Sequence, residues 1–277
     1  MRANAFFLAL LVVSAIVLAV PVRMTAPFEQ RISNGDEVFL GTIGPGQTLE
    51  LRIDPVVTEG GIYSQGGKYD MAQVTYKPNG WSSEPSMLYG NPLQVKITAD
   101  KNAPQGEYYA DVVVIDENNG ERLGNVTFRV RMNVTWDVLD MDVSPPSITV
   151  GPGQPAQFAI TVVNKGAASD TYTVSSSGVK RWEFVKPIYV PARSSRTVEY
   201  EISGTEEESY NPTINVVSVS SPNIHEEKNV TFMVRSDLLG DYVATSHGTL
   251  LFPVFEAPVY ALAGLIGAAV QAVLSVI

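Results

Sequence analysis

Apolar and polar residues alternate with a period of two along most of the chain. Leu49, Leu51 and Ile53 interleave with Glu50 and Arg52, and Leu93, Val95 and Ile97 interleave with Gln94, Lys96 and Thr98. Val198, Tyr200 and Ile202 interleave with Glu199 and Glu201. Successive side chains of a strand face opposite sides of its sheet, so this pattern predicts strands with one wet face. Val126, Phe128, Val130 and Met132 are expected to face inward, with Asn125, Thr127, Arg129 and Arg131 outward. Turn residues separate the runs: Pro-Gly at 45–46 and 152–153, Asn79-Gly80, and Asn118-Asn119-Gly120. No convincing amphipathic helix interrupts them.

The pattern occurs twice. Gly44-Pro45-Gly46-Gln47 returns as Gly151-Pro152-Gly153-Gln154, 107 residues later, and Trp81 returns as Trp182, 101 later. Asn125-Val126-Thr127-Phe128 returns as Asn229-Val230-Thr231-Phe232, 104 later. Three landmarks in one order at nearly one offset mark a duplicated unit. The drift is absorbed by 59–67, a glycine-rich stretch that looks like an insertion in the first copy. About seven short strands in roughly 100 residues predict an immunoglobulin-like β-sandwich for each copy. The expected fold is all-β: two tandem sandwiches, 23–137 and 138–236, with a juncture near 135–143. Trp81 and Trp182 are expected in the cores, with sugar stacking as the alternative role.

Each end carries an apolar run. Residues 5–22 come after Arg2 and read as a secretory signal peptide, with Val17 and Ala19 suited to cleavage after Ala19; an uncleaved N-terminal anchor is the alternative. Both readings export the chain after Arg23. Residues 257–277 hold no charge and one amide, Gln271. As a helix they would run about 31 Å, close to the bilayer hydrocarbon thickness. A transmembrane helix is therefore expected there, behind a juxtamembrane linker at 237–256, with a buried core helix as the alternative.

Composition narrows the chemistry. Twenty-nine acidic against 19 basic residues give a net charge of −10, which argues against a nucleic-acid partner. The chain has no cysteine and two histidines, which removes thiolate sites and nucleophiles and leaves little for acid–base work. No phosphate-binding loop, zinc spacing or nucleophile elbow is present. The expectation is a protein that is not an enzyme and needs no cofactor.

The second copy reads Ile160-Thr161-Val162-Val163-Asn164-Lys165-Gly166, then Thr171-Tyr172-Thr173-Val174, Trp182 and Val190-Pro191-Ala192-Arg193. These runs resemble immunoglobulin-like domains of the alpha-galactosidase-associated type, found beside carbohydrate-active modules and in archaeal membrane-anchored surface proteins. Pro104-Gln105-Gly106-Glu107-Tyr108 is similar to that family's Pro-x-Gly-x-Tyr turn; the second copy lacks it. The resemblance covers roughly 37–235 and implies fold and setting; its motifs name no active site. In layout alone, the chain resembles the membrane-bound stalk subunits of archaeal surface layers.

Three Asn-x-Thr sequons, at Asn125, Asn133 and Asn229, have outward parity on or beside the closing strand of a sandwich. In an exported protein they are glycosylation candidates, or else polar residues filling a wet face. Asp116 and Asn118 in one hairpin, and Asp137 and Asp140 at the juncture, are the calcium candidates; a solvated turn and linker is the alternative. Tyr63 and Gln65 in the insertion are the candidate contact residues, because long loops often carry function. The reading that results is a membrane-anchored structural or interaction protein, its bulk outside the cell, in an archaeal envelope or surface layer. Its expected partners are the membrane, other envelope or membrane proteins and copies of itself. The alternatives are a carbohydrate-binding accessory protein, which would need Tyr63, Trp81, Tyr89 and Trp136 exposed on one face, and a non-catalytic accessory subunit of a membrane complex.

Overall fold

The structure, a computed structural model, describes residues 19–236. The transmembrane segment expected at 257–277, the linker at 237–256 and residues 1–18 of the expected signal lie outside the described residues. Among the described residues there are strands and three short 3-10 turns, and no α-helix.

In the first sandwich, a five-stranded sheet runs in the order Gln30–Ile32, Val22–Ala26, Thr48–Asp54, Leu93–Thr98, Ser82–Glu84. It faces a four-stranded sheet ordered Glu37–Ile43, Val126–Val134, Gly106–Ile115, Met71–Tyr76. Leu49, Leu51, Ile53, Leu93, Val95 and Ile97 from one sheet meet Val112, Val114, Phe128, Val130 and Met132 from the other in one buried cluster. Removing an aliphatic side chain of this size from water is worth about 1.5–3 kcal/mol, so the alternation read in the sequence fixes both register and face.

The second sandwich repeats the plan. Leu139–Ser144, Pro155–Asn164 and Ser194–Ser203 form one sheet. Val185–Val190, Asp170–Ser177, Thr213–Ser218 and His225–Asn229 form another, beside a short sheet of Ser147–Val150, Thr231–Val234 and Ser209–Tyr210. In both copies the closing strand pairs in parallel with an early strand: Val126–Val134 with Glu37–Ile43, and Thr231–Val234 with Ser147–Val150. The early strand then crosses to the facing sheet through the Gly-Pro-Gly-Gln turn. The duplicated tetrapeptide thus marks the same sheet-crossing corner twice.

The repeated tryptophans differ in depth. Trp81 is 5% exposed and packs 5.2 Å, ring to ring, from Tyr108. Tyr108 in turn donates its hydroxyl to the Pro104 carbonyl at 3.0 Å, which pins the Pro-x-Gly-x-Tyr turn to the strand after it. Trp182 is half-buried and sets its edge against Tyr210 and Phe232 at 4.9 and 5.4 Å.

The first sandwich also begins earlier than the boundary at residue 23 drawn from hydropathy. Val22 opens a strand and is buried, Val20 donates its N–H to the Leu123 carbonyl at 3.2 Å, and the Tyr69 hydroxyl donates to the Val20 carbonyl at 2.8 Å. An export run and a buried strand are both apolar, so hydropathy alone draws no line between them.

Candidate functional site: the domain joint

The two sandwiches meet through side chains that are as buried as their cores. Gly44-Pro45-Gly46-Gln47 turns at the end of the first sandwich that faces the second. The Gln47 carboxamide oxygen accepts from Gly44 N–H at 2.8 Å and so closes its own turn. Its Nε2 reaches across and donates to Asp170 Oδ2 of the second sandwich at 2.8 Å. Gln47 is 0% and Asp170 5% exposed.

Asp170 is the hub. Besides Gln47, its carboxylate accepts from the Ser218 hydroxyl at 2.6 Å, the Ser220 hydroxyl at 2.7 Å and the Thr171 N–H at 2.8 Å. A buried carboxylate is stable only when its lone pairs are met by donors, and here two hydroxyls, an amide and a backbone N–H meet them. Beside it, the Tyr172 hydroxyl is buried against the Gln47 side chain, and burial, reinforced by the Asp170 charge, pushes its phenol up.

Backbone contacts flank the hub. Ala167 N–H donates to the Thr42 carbonyl at 2.7 Å, and the Ser221 hydroxyl donates to the Lys101 carbonyl at 3.0 Å. Ala167 and Ala168, from the second sandwich, are packed into the core of the first. Lys165 pairs with Asp137 at the rim. Gly46 lies at φ +70°, and a Cβ there would stand 2.2 Å from the Ser220 carbonyl oxygen. A Cβ on Gly44 would stand 2.4 Å from Ile224. Backbone of the first sandwich therefore approaches the second so closely that side chains are excluded.

The chain's course gives the joint its meaning. Val22, where the first strand starts, sits opposite Ile32, and Arg23 opposite Asp54, at the end away from Gln47. The last strand ends with Val234 opposite Val150, beside the second Gly-Pro-Gly-Gln turn and away from Asp170. The described chain enters at one tip and leaves at the other, with the locked joint between.

The residues singled out from sequence fall elsewhere. Tyr63 is 87% exposed at φ +63° in a 3-10 turn, and Gln65 beside it is exposed. Their loop lies at the entry tip, held where Val56–Val57 pairs with Gly67–Lys68. Asp116 is buried, and its carboxylate accepts from Glu121 and Leu123 N–H at 3.1 and 2.9 Å, which organises the hairpin loop. Asn118 is in that loop at the entry tip, whereas Asp137 and Asp140 lie at the joint, where Asp137 is paired with Lys165 and Asp140 accepts from Met141 N–H at 2.9 Å. The four calcium candidates are not brought together, and among the described residues no group of three or more Asp, Glu, His or Cys side chains gathers to hold a metal. Trp81 is buried, Tyr89 bonds its N–H to Asp70 at the entry tip, and Trp136 is exposed beside the joint, so the four aromatics do not share one face.

Sequence reasoning missed Gln47 and Asp170 as partners. The repeated tetrapeptide marks Gln47 as part of a corner, but nothing in the sequence pairs it with Asp170.

No family model and no curated protein matches the chain. Among solved structures, a chimeric titin Z1Z2 carrying an exogenous decorin peptide is 9% identical, over 79% of this chain and 100% of that one, with a TM-score of 0.36. Fibronectin(III)-like modules of Clostridium thermocellum CbhA are 11% identical, over 77% and 94%, with a TM-score of 0.26. A CARDB domain from Pyrococcus furiosus, in complex with di-metal ions, is 17% identical, over 36% and 94%, also at 0.26. The all-β sandwich architecture of this chain is read from its own strand order.

Proposed function

We propose that this chain is a spacer: a membrane-anchored, extracytoplasmic structural or interaction protein that holds its entry tip at a fixed distance and angle from the surface bearing its C-terminal end. The joint of buried Gln47, Asp170 and Ser218, extended by half-buried Ser220, is the observation that carries the reading. Two sandwiches on a loose linker would leave their relative direction free. A desolvated side-chain network makes bending cost hydrogen bonds that water cannot replace. Two domains of about 40 Å in line give a reach of about 80 Å or less.

The apolar run at 257–277 supports the anchor, and the run at 5–22 supports export. The resemblance to archaeal surface proteins favours the cell envelope as the setting of such a spacer, with a surface-layer or membrane protein as its partner. The exposed loop of Tyr63 and Gln65 is the proposed contact at the tip. Fractionation of cells producing the full chain and a version lacking 257–277 tests the reading. The full chain is expected in membranes and the shortened one in the external or soluble fraction. A shortened chain that stays with membranes, or a full chain found in the cytosol, overturns it.

A further inference from the structure

The three sequons share parity but not surroundings. Asn125 precedes its strand, comes after Gly124 at φ +70°, and is exposed. Its carboxamide oxygen accepts from Asp116 N–H at 3.3 Å, which turns Nδ2 outward, and Nδ2 makes no hydrogen bond among the described residues. Thr127, the third residue of that sequon, is exposed and its hydroxyl is likewise unengaged among the described residues. Beside Asn125 an open groove of about 890 Å³ is lined by Ser33, Asn34, Asn118 and Asn119, whose hydroxyl and amide groups suit sugar hydroxyls.

Asn133 is the opposite case. It is half-buried inside Val126–Val134, a strand paired on both sides, with Glu107 and Thr42 as cross-strand neighbours. The Arg131–Glu107 ion pair, at 2.6 Å, stands next to it. Its Thr135 hydroxyl donates to Gln105 at 3.1 Å and accepts from Asp137 N–H at 3.2 Å. Asn229 is intermediate. It is exposed at the end of an edge strand, but its oxygen accepts from the Thr213 hydroxyl at 2.8 Å, and the Thr231 hydroxyl donates to Asn211 at 3.1 Å.

We infer that Asn125 carries an N-linked glycan at the entry tip, its first sugars lying in the amide-lined groove, and that occupancy falls from Asn125 to Asn229 to Asn133. Transfer forms a bond between Nδ2 and the anomeric carbon of a lipid-linked sugar donor. It breaks that carbon's bond to the donor phosphate, releasing the phospholipid carrier and one amide proton. A glycan at Asn125 displaces no contact among the described residues, whereas one at Asn133 must find room on the sheet face between the Glu107 and Thr42 side chains and beside the Arg131–Glu107 pair.

The inference rests on the export reading. It is tested by producing the full chain in a secretory host that glycosylates Asn-x-Thr, then mapping glycopeptides by mass spectrometry alongside cell fractionation. Asn125 is expected to be modified in most copies and Asn133 in almost none. Both Asn125→Gln and Thr127→Ala should remove the Asn125 glycan, and the exposed Thr127 leaves the fold intact if Gln at 125 disturbs the Asp116 loop. An exported chain with Asn125 bare, or with Asn133 modified as fully as Asn125, overturns the inference alone. A chain retained in the cytosol with every sequon bare overturns the export reading instead.

Discussion

Gly44-Pro45-Gly46-Gln47 and Gly151-Pro152-Gly153-Gln154 are one tetrapeptide at one corner of two sandwiches. Both close the same local turn: the glutamine oxygen accepts from the first glycine's N–H, at 2.8 Å in one and 3.1 Å in the other. Both third-position glycines are left-handed, at φ +70° and +73°. Beyond the turn they diverge. A Cβ on Gly46 would collide with Ser220, whereas a Cβ on Gly153 would meet nothing within 4 Å among the described residues. Gln47 Nε2 is bonded to Asp170, whereas Gln154 Nε2 is buried without a partner among the described residues. A motif that is purely local in one copy has been recruited as a bearing surface in the other. The turn is the repeated element and the docking is an added use of it.

The largest effect is expected at Asp170, the hub of the joint. Asp170→Ala should cost about 3 kcal/mol, because it strands the buried Gln47 amide and Ser218 hydroxyl, and the half-buried Ser220 hydroxyl, all of which had bonded to a charge. Denaturant unfolding would measure the loss, and small-angle scattering should show the two sandwiches splaying. A loss under about 1 kcal/mol with unchanged scattering would mean that the joint does not hold them.

The two left-handed glycines should differ next. Gly153→Ala should cost only the left-handed backbone penalty, about 1–2 kcal/mol, and leave the scattering profile alone. Gly46→Ala adds a backbone collision and should exceed its counterpart while opening the joint. Equal effects at the two positions would erase the distinction between the two corners. For the glutamines, Gln47→Ala should cost about 1–3 kcal/mol, and Gln154→Ala less, since its Nε2 gives up no bond among the described residues.

A smaller effect should appear at alkaline pH. Burial pushes Tyr69 up to about 12, aided by the Asp116 charge, and raises Tyr172 as well. A phenol whose folded pKa lies above its unfolded value of about 10 holds its proton longer in the folded state. Stability contributed this way is complete below about pH 10 and is lost as pH rises from about 10 toward 12. Tyr69→Phe should flatten that part of the pH profile. The smallest effect belongs to Tyr63→Ser, which should leave stability within about 0.5 kcal/mol, since the side chain is almost wholly in solvent.

The sandwich strands were legible because burial acts on every second residue, and Leu49, Leu51 and Ile53 could sit on only one face of their sheet. The duplicated corner was legible because its turn is built from residues within four positions of one another. The start of the first strand was not, since Val20 and Val22 read equally as leader and as core. The joint was not legible either. Gln47 and Asp170 are far apart in the chain, neither belongs to a periodic pattern, and each has an ordinary solvated reading until its partner is placed.

The same holds for the three sequons, which are equal as strings. Their sequence sets the parity that turns each asparagine outward. Whether the outward face is open groove, as at Asn125, or a strand hemmed in by Glu107 and Thr42, as at Asn133, depends on how sheets stack and which strands lie alongside. Alternation and turn chemistry are local forces, so the chain alone determined strands, corners and the doubling of the fold. Contact between distant residues depends on the packing of whole sheets, so which glutamine finds a carboxylate and which asparagine finds open space is set by how the sheets and domains come together.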